Sequence, residues 1–339
     1  MDNTKHHQYL KAVTIGEPEH ANDGIIIADY DPSWPVVYQQ LAKDIDKALK
    51  GVDHTIEHVG STSVPGLCAK PIIDILLLVD DPTNEALYVP KLKKLGYVLR
   101  IRERDWFNHR MLKHQDPLVN LHVFDFQCSE AMSMIEFRDW LIDHPQDKAL
   151  YGQTKKALSK QSFEYVQDYA NAKSKVVRTI QIHIFNAHYA PYLSIDETMD
   201  DRDIATYLLA TVKPNAIIEQ WNKVVRSFYD EVERCNQGDR SLGRLRKKYR
   251  ELREVYQRIE KEDLLNGHAQ NTRLRYEFEI AGKIMADTFK YEDDPRQLAT
   301  CFEAASTALY FAMQDRDFEM QYLKDLANKF IEWSNQDKG

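Results

Sequence analysis

The sequence predicts an α+β protein, with a mixed sheet and flanking helices in its first half and an all-α helical domain in its second half. Three observations lead to this fold class. Strand-like runs alternate with helical stripes up to about residue 190, one run is apolar at nearly every position, and the pattern beyond residue 194 is helical. A run that is apolar throughout is typical of a strand covered on both faces. We therefore expect one domain over residues 24–190 and a second over residues 195–335.

The elements of the first domain follow in order along the chain. Residues 1–23 are polar and predict a flexible arm. Residues 34–49 have the spacing of a helix, and a second helix over residues 83–95 would end at Gly96. A stripe of apolar residues predicts a further helix over about residues 165–184. Strands are predicted over residues 55–59, 72–79, 97–101 and 118–126.

The second half of the chain shows about five helical stripes and no convincing strand. The last two stripes, over residues 298–313 and 318–333, predict an antiparallel pair of helices joined at residues 314–316. A basic cluster lies on one of the earlier stripes: Arg240, Arg244, Arg246, Lys247, Lys248 and Arg250. This cluster would suit RNA or an acidic protein partner. Glutamates follow it closely, and a solvated helix face is the interpretation that we favour.

Composition and charge limit the classes of function. The chain has 339 residues, of which 43% are hydrophobic and 29% are charged, which is enough for two domains with cores of their own. Its formal net charge of -8 disfavours nucleic-acid binding by the whole surface but leaves open a local basic groove. The N-terminus lacks the apolar segment of a signal peptide, and no apolar run is long enough for a membrane span. The cysteines are scattered and form no CxxC pair, so we expect a protein of the reducing cytoplasm that does not contact a membrane.

The most informative stretch is residues 56–79, IEHVGSTSVPGLCAKPIIDILLLV. Gly60 lets the backbone turn tightly and approach a ligand. Three hydroxyl side chains that can contact phosphate oxygens follow it: Ser61, Thr62 and Ser63. Asp74 lies in the next apolar run, and a buried carboxylate is destabilising unless it is paired or binds a metal. The residues alone therefore fit either a phosphate loop with a Mg²⁺ ligand or a plain turn followed by a hydrogen-bonded acid.

The same stretch resembles the signature of the GrpB family, whose fold is that of the nucleotidyltransferase superfamily. The resemblance covers about residues 24–188, and no family is recognised in the second half of the chain. It extends through DYDPSWPVVYQQL at residues 29–41, NLHVF at 120–124, FRDWLIDHP at 137–145, and a final Tyr169 and Lys173.

This resemblance implies transfer of a nucleoside monophosphate from a nucleoside triphosphate to a hydroxyl acceptor, with Mg²⁺ or Mn²⁺ held by carboxylates. Gly60 and Ser61 correspond to the superfamily's Gly-Ser pair, and Asp74 corresponds to its first acid. The second acid, two residues on, would fall at Leu76 and is absent. Either one ion suffices, or another side chain replaces the missing acid, or the domain binds a nucleotide or another phosphorylated small molecule without transferring it.

Further residues are candidates for completing the site. The resemblance includes His122, which alternates with Asp125 along its strand, so the two side chains are expected on opposite faces. We favour His122 over Asp125 as the catalytic residue that positions or deprotonates the acceptor. The alternative for His122 is a structural histidine paired with a neighbouring backbone carbonyl. Glu57 is either a substitute metal ligand or the partner of a nearby base. Four cations are candidates for the phosphate side of the site: Lys70, Arg110, Arg138 and Lys173.

Overall fold

The chain divides into two compact units. A computed structural model describes residues 3–21, 24–189, 193–213, 216–239, 242–261 and 270–336. The first unit, called the N-terminal unit below, consists of the residues up to His188 together with those from Glu332 onward. The second, called the helical unit, runs from Tyr189 to Ile331.

Five strands form one mixed sheet in the N-terminal unit. They are β1 (His54–Val59), β2 (Ile73–Val79), β3 (Val98–Glu103), β4 (His109–Gln115) and β5 (Leu118–Asp125). The strand order is β1-β2-β5-β4-β3, in which β2 and β5 pair in parallel and the other neighbours pair antiparallel. The predicted mixed sheet with flanking helices, followed by a helical part, is therefore confirmed.

Helices cover both faces of this sheet, which explains why β2 is apolar at almost every position. Ile75 and Leu77 face one side, where they pack with residues of α2 (Trp34–Ala48) and α3 (Val89–Lys93). Leu76 and Leu78 face the other side, against α4 (Ser129–Asp143). Because side chains alternate along a strand, Asp74 belongs to this second face. The remaining helices of the region are α1 (Asn3–Val13), α5 (Pro145–Leu158), α6 (Val166–Ala172) and α7 (Ser174–Tyr189).

The N-terminal segment differs from the flexible arm expected over residues 1–23. Residues from Asn3 to Val13 form α1, and the backbone that follows is hydrogen-bonded to the rest of the unit. Ile15 N–H donates to the Arg100 carbonyl over 2.7 Å, and Ala21 N–H donates to the Glu164 carbonyl over 3.0 Å. The polar composition of this segment predicted a solvated tail. The bonds that hold it join residues far apart in the sequence, so no local sequence pattern indicates them.

Two other elements differ from the sequence-based expectation because of local chemistry. The helix expected over residues 83–95 is a short 3₁₀ turn at Glu85–Leu87 followed by α3, since Pro90 lacks the N–H that a continuous helix would need. The helix expected over residues 165–184 is divided into α6 and α7. There the Ser174 hydroxyl donates to the Asn171 carbonyl over 2.5 Å and competes with the helical backbone bond.

Five further helices follow in the described residues: α8 (Asp201–Thr211), α9 (Ala216–Asn236), α10 (Leu242–Lys261), α11 (Gln270–Lys290) and α12 (Pro295–Gln336). Trp221, Phe228 and Phe302 are among the buried residues at the core of the helical unit. The antiparallel pair predicted over residues 298–313 and 318–333 is wrong, because α12 is one continuous helix of 42 residues. Residues 314–316 contain neither glycine nor proline, so nothing in them ends a helix. In the described part of the chain, no helix combines the length and the apolar character that crossing a membrane requires.

Candidate functional site

The loop after β1 brings Gly60 directly against Asp74 of β2. Val59, the last residue of β1, is the antiparallel partner of Asp74. Gly60 adopts φ +70°, and a Cβ added there would lie 2.4 Å from Asp74 Oδ2. A glycine is therefore required both by the backbone conformation and by the close approach of the carboxylate. The two features that the sequence placed 14 positions apart form one site.

Asp74 shares its sheet face with Asn120 and His122 of β5. Asn120 Nδ2 donates to Asp74 Oδ1 over 2.9 Å, and His122 Nε2 lies 3.9 Å from the same oxygen. Burial raises the pKa of Asp74, but the neighbouring His122, the Asn120 amide and the charge of Lys173 lower it more, and the balance is a lowered pKa. Asp74 is therefore a carboxylate at neutral pH, held by neighbours on an adjacent strand.

Lys155 of α5 reaches the same loop, a contact that no pattern in the sequence indicates. Its Nζ donates to Ser61 Oγ over 2.8 Å and to the Cys68 carbonyl over 2.5 Å, and it lies 4.6 Å from the centre of the Tyr151 ring. The residue is only 2% exposed. Burial, the largest cause, lowers the pKa of its ammonium to about 7, and the charge of Lys173 acts in the same direction.

Two more lysines lie near one aromatic ring. Lys70 Nζ and Lys173 Nζ are 5.5 Å and 5.1 Å from the centre of the Tyr169 ring, which is buried. Burial and the charge of Lys173 lower the pKa of Lys70, and Asp74 opposes that effect. Within the described residues, none of Lys70, Lys155 and Lys173 forms an ion pair with a carboxylate. Cations that lack a carboxylate partner and surround a small loop are suited to an anionic ligand.

The three hydroxyl groups of the loop are not equivalent. Ser61 accepts its bond from Lys155, so its own proton remains available to a ligand. Thr62 is buried and donates to the Ile72 carbonyl over 3.3 Å, while its oxygen contacts His58 Nε2 at 3.2 Å. Ser63 donates to the Gly60 carbonyl over 2.5 Å. Thr62 and Ser63 therefore hold the loop in shape, and the structure does not present their protons to phosphate as the sequence suggested.

Glu57 and Arg138, predicted as a metal ligand and a phosphate-side cation, are engaged with each other. Arg138 Nη1 donates to Glu57 Oε2 and to the His58 carbonyl, each over 2.8 Å. Its Nε donates to Asp139 Oδ1 over 2.7 Å. Glu57 is therefore the partner of a basic side chain, which is the second of the two alternatives stated for it above. Both side chains stabilise the end of β1, and the Arg138 guanidinium has no free fork for a phosphate.

Arg110 lies on the opposite face of the sheet from Asp74. Along β4 it precedes Met111, the partner of His122 on β5, and adjacent side chains of a strand point to opposite faces. Arg110 Nε donates to Glu85 Oε1 over 2.8 Å, and Nη1 donates to the Asn108 carbonyl over 2.7 Å. The structure therefore does not bring Arg110 to the site.

The positions of Leu76 and Asp125 bear on the missing second acid. Leu76 is fully buried in an apolar cluster with Val59 and Phe124, so its side chain packs in the core and provides no ligand. Asp125 Oδ1 accepts from the backbone N–H of Gln127 over 2.8 Å in the turn after β5. His122, and not Asp125, is the β5 residue beside Asp74.

Sequence comparisons match the part of the chain that contains this site. A family model described as GrpB protein matches residues 24–182. A UPF0157 protein of Halalkalibacterium halodurans is 50% identical over 171 residues, which is 50% of this chain and 88% of that protein. The chain belongs to the GrpB family. A UPF0157 protein of Streptomyces coelicolor is 40% identical over 167 residues, 49% of this chain and 87% of that protein. The crystal structure of a conserved GrpB protein from Enterococcus faecalis is 26% identical, with a TM-score of 0.44, and covers 48% of this chain and 99% of that one.

The GrpB match includes every residue that surrounds Asp74 in the descriptions above, Lys155 and Lys173 among them. The helical unit lies beyond it. There, three members of the basic cluster have acidic partners: Arg244 contacts Glu231 and Asp239, Arg246 contacts Glu292, and Lys248 contacts Glu251. Arg240 lies outside the described residues. These ion pairs agree with a solvated helix face and lend no support to RNA binding by the cluster.

Metal binding by protein side chains alone has limited support. Across the described ranges, no group of three or more His, Cys, Asp or Glu side chains is arranged to hold a metal ion. Asp74, with Asn120 and His122 beside it, offers a smaller set of donors. A divalent cation at Asp74 would therefore need ligand oxygens and water to complete its coordination, which is how cations that bridge phosphates are commonly held.

Proposed function

We propose that the N-terminal unit of this GrpB protein binds a nucleoside triphosphate, or a small molecule phosphorylated in the same way, together with a divalent cation at Asp74. The observation that carries the proposal is the excess of positive charge around the Gly60 loop. Lys70, Lys155 and Lys173 lie around a loop that faces Asp74, as described above. A phosphate chain and its cation would supply the missing negative charge and the missing oxygen ligands.

Each residue near the loop has a physical role in this proposal. Gly60 lets the ligand and Asp74 approach the backbone closely. Ser61 donates its proton to a phosphate oxygen while it accepts from Lys155. Lys70 and Lys173 act as point charges, which bind phosphate without the directional fork of an arginine. A bound divalent ion would neutralise phosphate charge at Asp74.

A second candidate is transfer of the nucleoside monophosphate to a hydroxyl acceptor. The contact of Asp74 with the Gly-Ser loop favours it, since this is the arrangement that the resemblance to nucleotidyltransferases implies. The apolar burial of Leu76 opposes it, because a two-ion site would need a carboxylate there. Binding without transfer is therefore the function that the geometry supports best.

Calorimetry with each of the common nucleoside triphosphates, with and without Mg²⁺, tests the binding proposal. Lys173→Met should weaken binding by about 10-fold, because it removes one phosphate-side charge worth about 1.4 kcal/mol. Lys175→Met, an exposed lysine on α7, is the matched control and should leave the affinity unchanged. Absence of binding by the wild type, or equal effects of the two substitutions, would contradict the proposal.

Transfer is tested separately. The protein is incubated with each triphosphate, Mg²⁺ or Mn²⁺ and a metabolite extract, and pyrophosphate and nucleotide adducts are sought by mass spectrometry. The second candidate requires products from the wild type and none from Asp74→Asn. If both proteins bind the nucleotide and neither forms products, the unit is a binding module.

A further inference from the structure

A continuous chain of polar contacts leads away from Asp74 across the sheet. His122 Nδ1 lies 3.1 Å from His109 Nε2, and His109 Nδ1 lies 2.6 Å from Glu103 Oε2. Tyr9 of α1 donates its hydroxyl proton to Glu103 Oε1 over 2.7 Å. The chain thus joins β2, β5, β4, β3 and α1. None of the roles assigned above uses Glu103, His109 or Tyr9.

The directions of these hydrogen bonds determine which ring nitrogen of His122 is free. A carboxylate only accepts, so Glu103 accepts a hydrogen bond from the Nδ1–H of His109. His109 is 3% exposed, and its ring stacks on Phe124 with 4.6 Å between ring centres, surroundings that favour its neutral form. A neutral His109 then accepts at Nε2, and His122 must donate from Nδ1. The lone pair of His122 is therefore on Nε2, the atom that faces Asp74.

Two acceptors consequently face each other at the site. His122 Nε2 and Asp74 Oδ1 are 3.9 Å apart, which is too far for a hydrogen bond. Both atoms are good ligands for a cation. The contact between His122 Nδ1 and His109 matches the usual arrangement behind a metal-bound histidine, whose other ring nitrogen donates to a fixed acceptor.

We propose that Asp74 and His122 form a mixed carboxylate–imidazole site for a divalent transition metal such as Mn²⁺ or Zn²⁺, with His109 and Glu103 as positioning residues. This narrows the cation of the proposed function, on which it rests, because imidazole nitrogen is a poor ligand for Mg²⁺ and a suitable one for transition metals. It also gives His122 the role of metal ligand in place of proton acceptor. Phosphate oxygens and water would complete the coordination, since two side chains alone hold a metal weakly.

The test uses Mn²⁺ alone with the full-length protein, followed by electron paramagnetic resonance. Bound Mn²⁺ should show the nitrogen coupling of a coordinated imidazole, and His122→Gln should abolish it. Glu103→Gln should weaken Mn²⁺ binding by about 10- to 100-fold, because an amide can donate as well as accept and no longer fixes the His109 ring. His114 lies on β4, like His109, and its ring contacts the Pro117 carbonyl. His114→Gln is therefore the matched control and should change neither the nitrogen coupling nor the affinity for Mn²⁺.

A second measurement needs no variant. Nitrogen-15 spectra of the metal-free wild type should find the proton of His122 on Nδ1. A proton on Nε2, or bound Mn²⁺ with only oxygen ligands, would overturn the proposal. Triphosphate binding with oxygen-only coordination would overturn this inference and leave the proposed function intact. Nitrogen-coordinated Mn²⁺ without triphosphate binding would support this inference and contradict the proposed function.

Discussion

Two buried charges, one in each unit, have opposite surroundings. Glu277 of the helical unit is 0% exposed, and its Oε2 accepts from Arg316 Nη1 over 2.9 Å and from Trp221 Nε1 over 2.7 Å. Lys155 of the N-terminal unit is equally buried, but among the described residues it donates only to a serine hydroxyl and a backbone carbonyl. In the described part of the chain, Glu277 therefore has a counter-charge and Lys155 has none.

The difference separates a structural charge from a functional one. Both charges of a buried ion pair belong to the fold itself, and removing one of them lowers the free energy of unfolding. A buried ammonium with neutral partners, beside a loop that faces a carboxylate, leaves a place for an external anion. Among the described residues, Oε1 of Glu277 has no hydrogen-bond partner, and burial raises the pKa of Glu277 to about 7 despite Arg316. Even so, its opposing charge comes from its own unit.

The largest expected effect is on the buried ion pair between Glu277 and Arg316. Arg316→Met leaves Glu277 buried without a counter-charge and should lower the free energy of unfolding of the helical unit by about 3–5 kcal/mol. Urea denaturation measures this. Arg275→Met breaks an exposed pair with Glu279 and serves as the control, with an expected loss of about 0.3–0.5 kcal/mol. Similar losses in the two variants would show that Glu277 and Arg316 are not a buried structural pair.

The second effect is on pH dependence, and the two charges predict opposite signs. Lys155 has a folded pKa of about 7, below its unfolded value of 10.5, so the unfolded chain binds more protons between these pH values and stability rises with pH. Glu277 has a folded pKa of about 7, above its unfolded value of 4.5, so stability falls as pH rises between them. Each slope should approach 1.4 kcal/mol per pH unit. Denaturation of Lys155→Met and Glu277→Gln across pH 5–10 measures them, and a slope that survives its own substitution refutes that assignment.

The smallest effect is the stability of Lys155→Met itself. Removing an ammonium that has no counter-charge relieves its desolvation, while Ser61 and the Cys68 carbonyl each lose one hydrogen bond. The two changes oppose each other, so we expect a net change within about 1 kcal/mol of the wild type. A loss as large as that of Arg316→Met would make Lys155 a structural residue and remove the contrast.

Much of the sheet and part of the site were predictable, because local patterns carried them. β2 is apolar at almost every position, Gly60 marks a tight turn, and the family resemblance favoured His122 over Asp125. β4 was missed because HRMLKHQ is polar by composition, although its first four residues are buried. His109 is buried through contacts with Glu103 and His122, and no alternation of apolar residues reports such contacts.

The contacts that complete the site are long-range, and this is why the sequence did not reveal them. Lys155 and Lys156 are adjacent and alike in sequence, yet one is buried against Ser61, 94 positions away, and the other pairs with Asp29 at the surface. Arg110 and Arg138 looked as suitable as Lys70 and Lys173 for phosphate. Only the fold reveals that the two arginines already have carboxylate partners.

The affinity for inorganic triphosphate tests the central claim most directly, because the described lysines are proposed to bind phosphate groups and not a nucleobase. Binding at pH 7 in the presence of Mn²⁺ is measured for the wild type, Lys155→Met and Lys156→Met. We predict that Lys155→Met binds about 10- to 100-fold more weakly and that Lys156→Met binds as the wild type does. Equal affinities in all three proteins, or no binding by the wild type, would contradict the claim that Lys155 contributes to the binding of an anionic ligand.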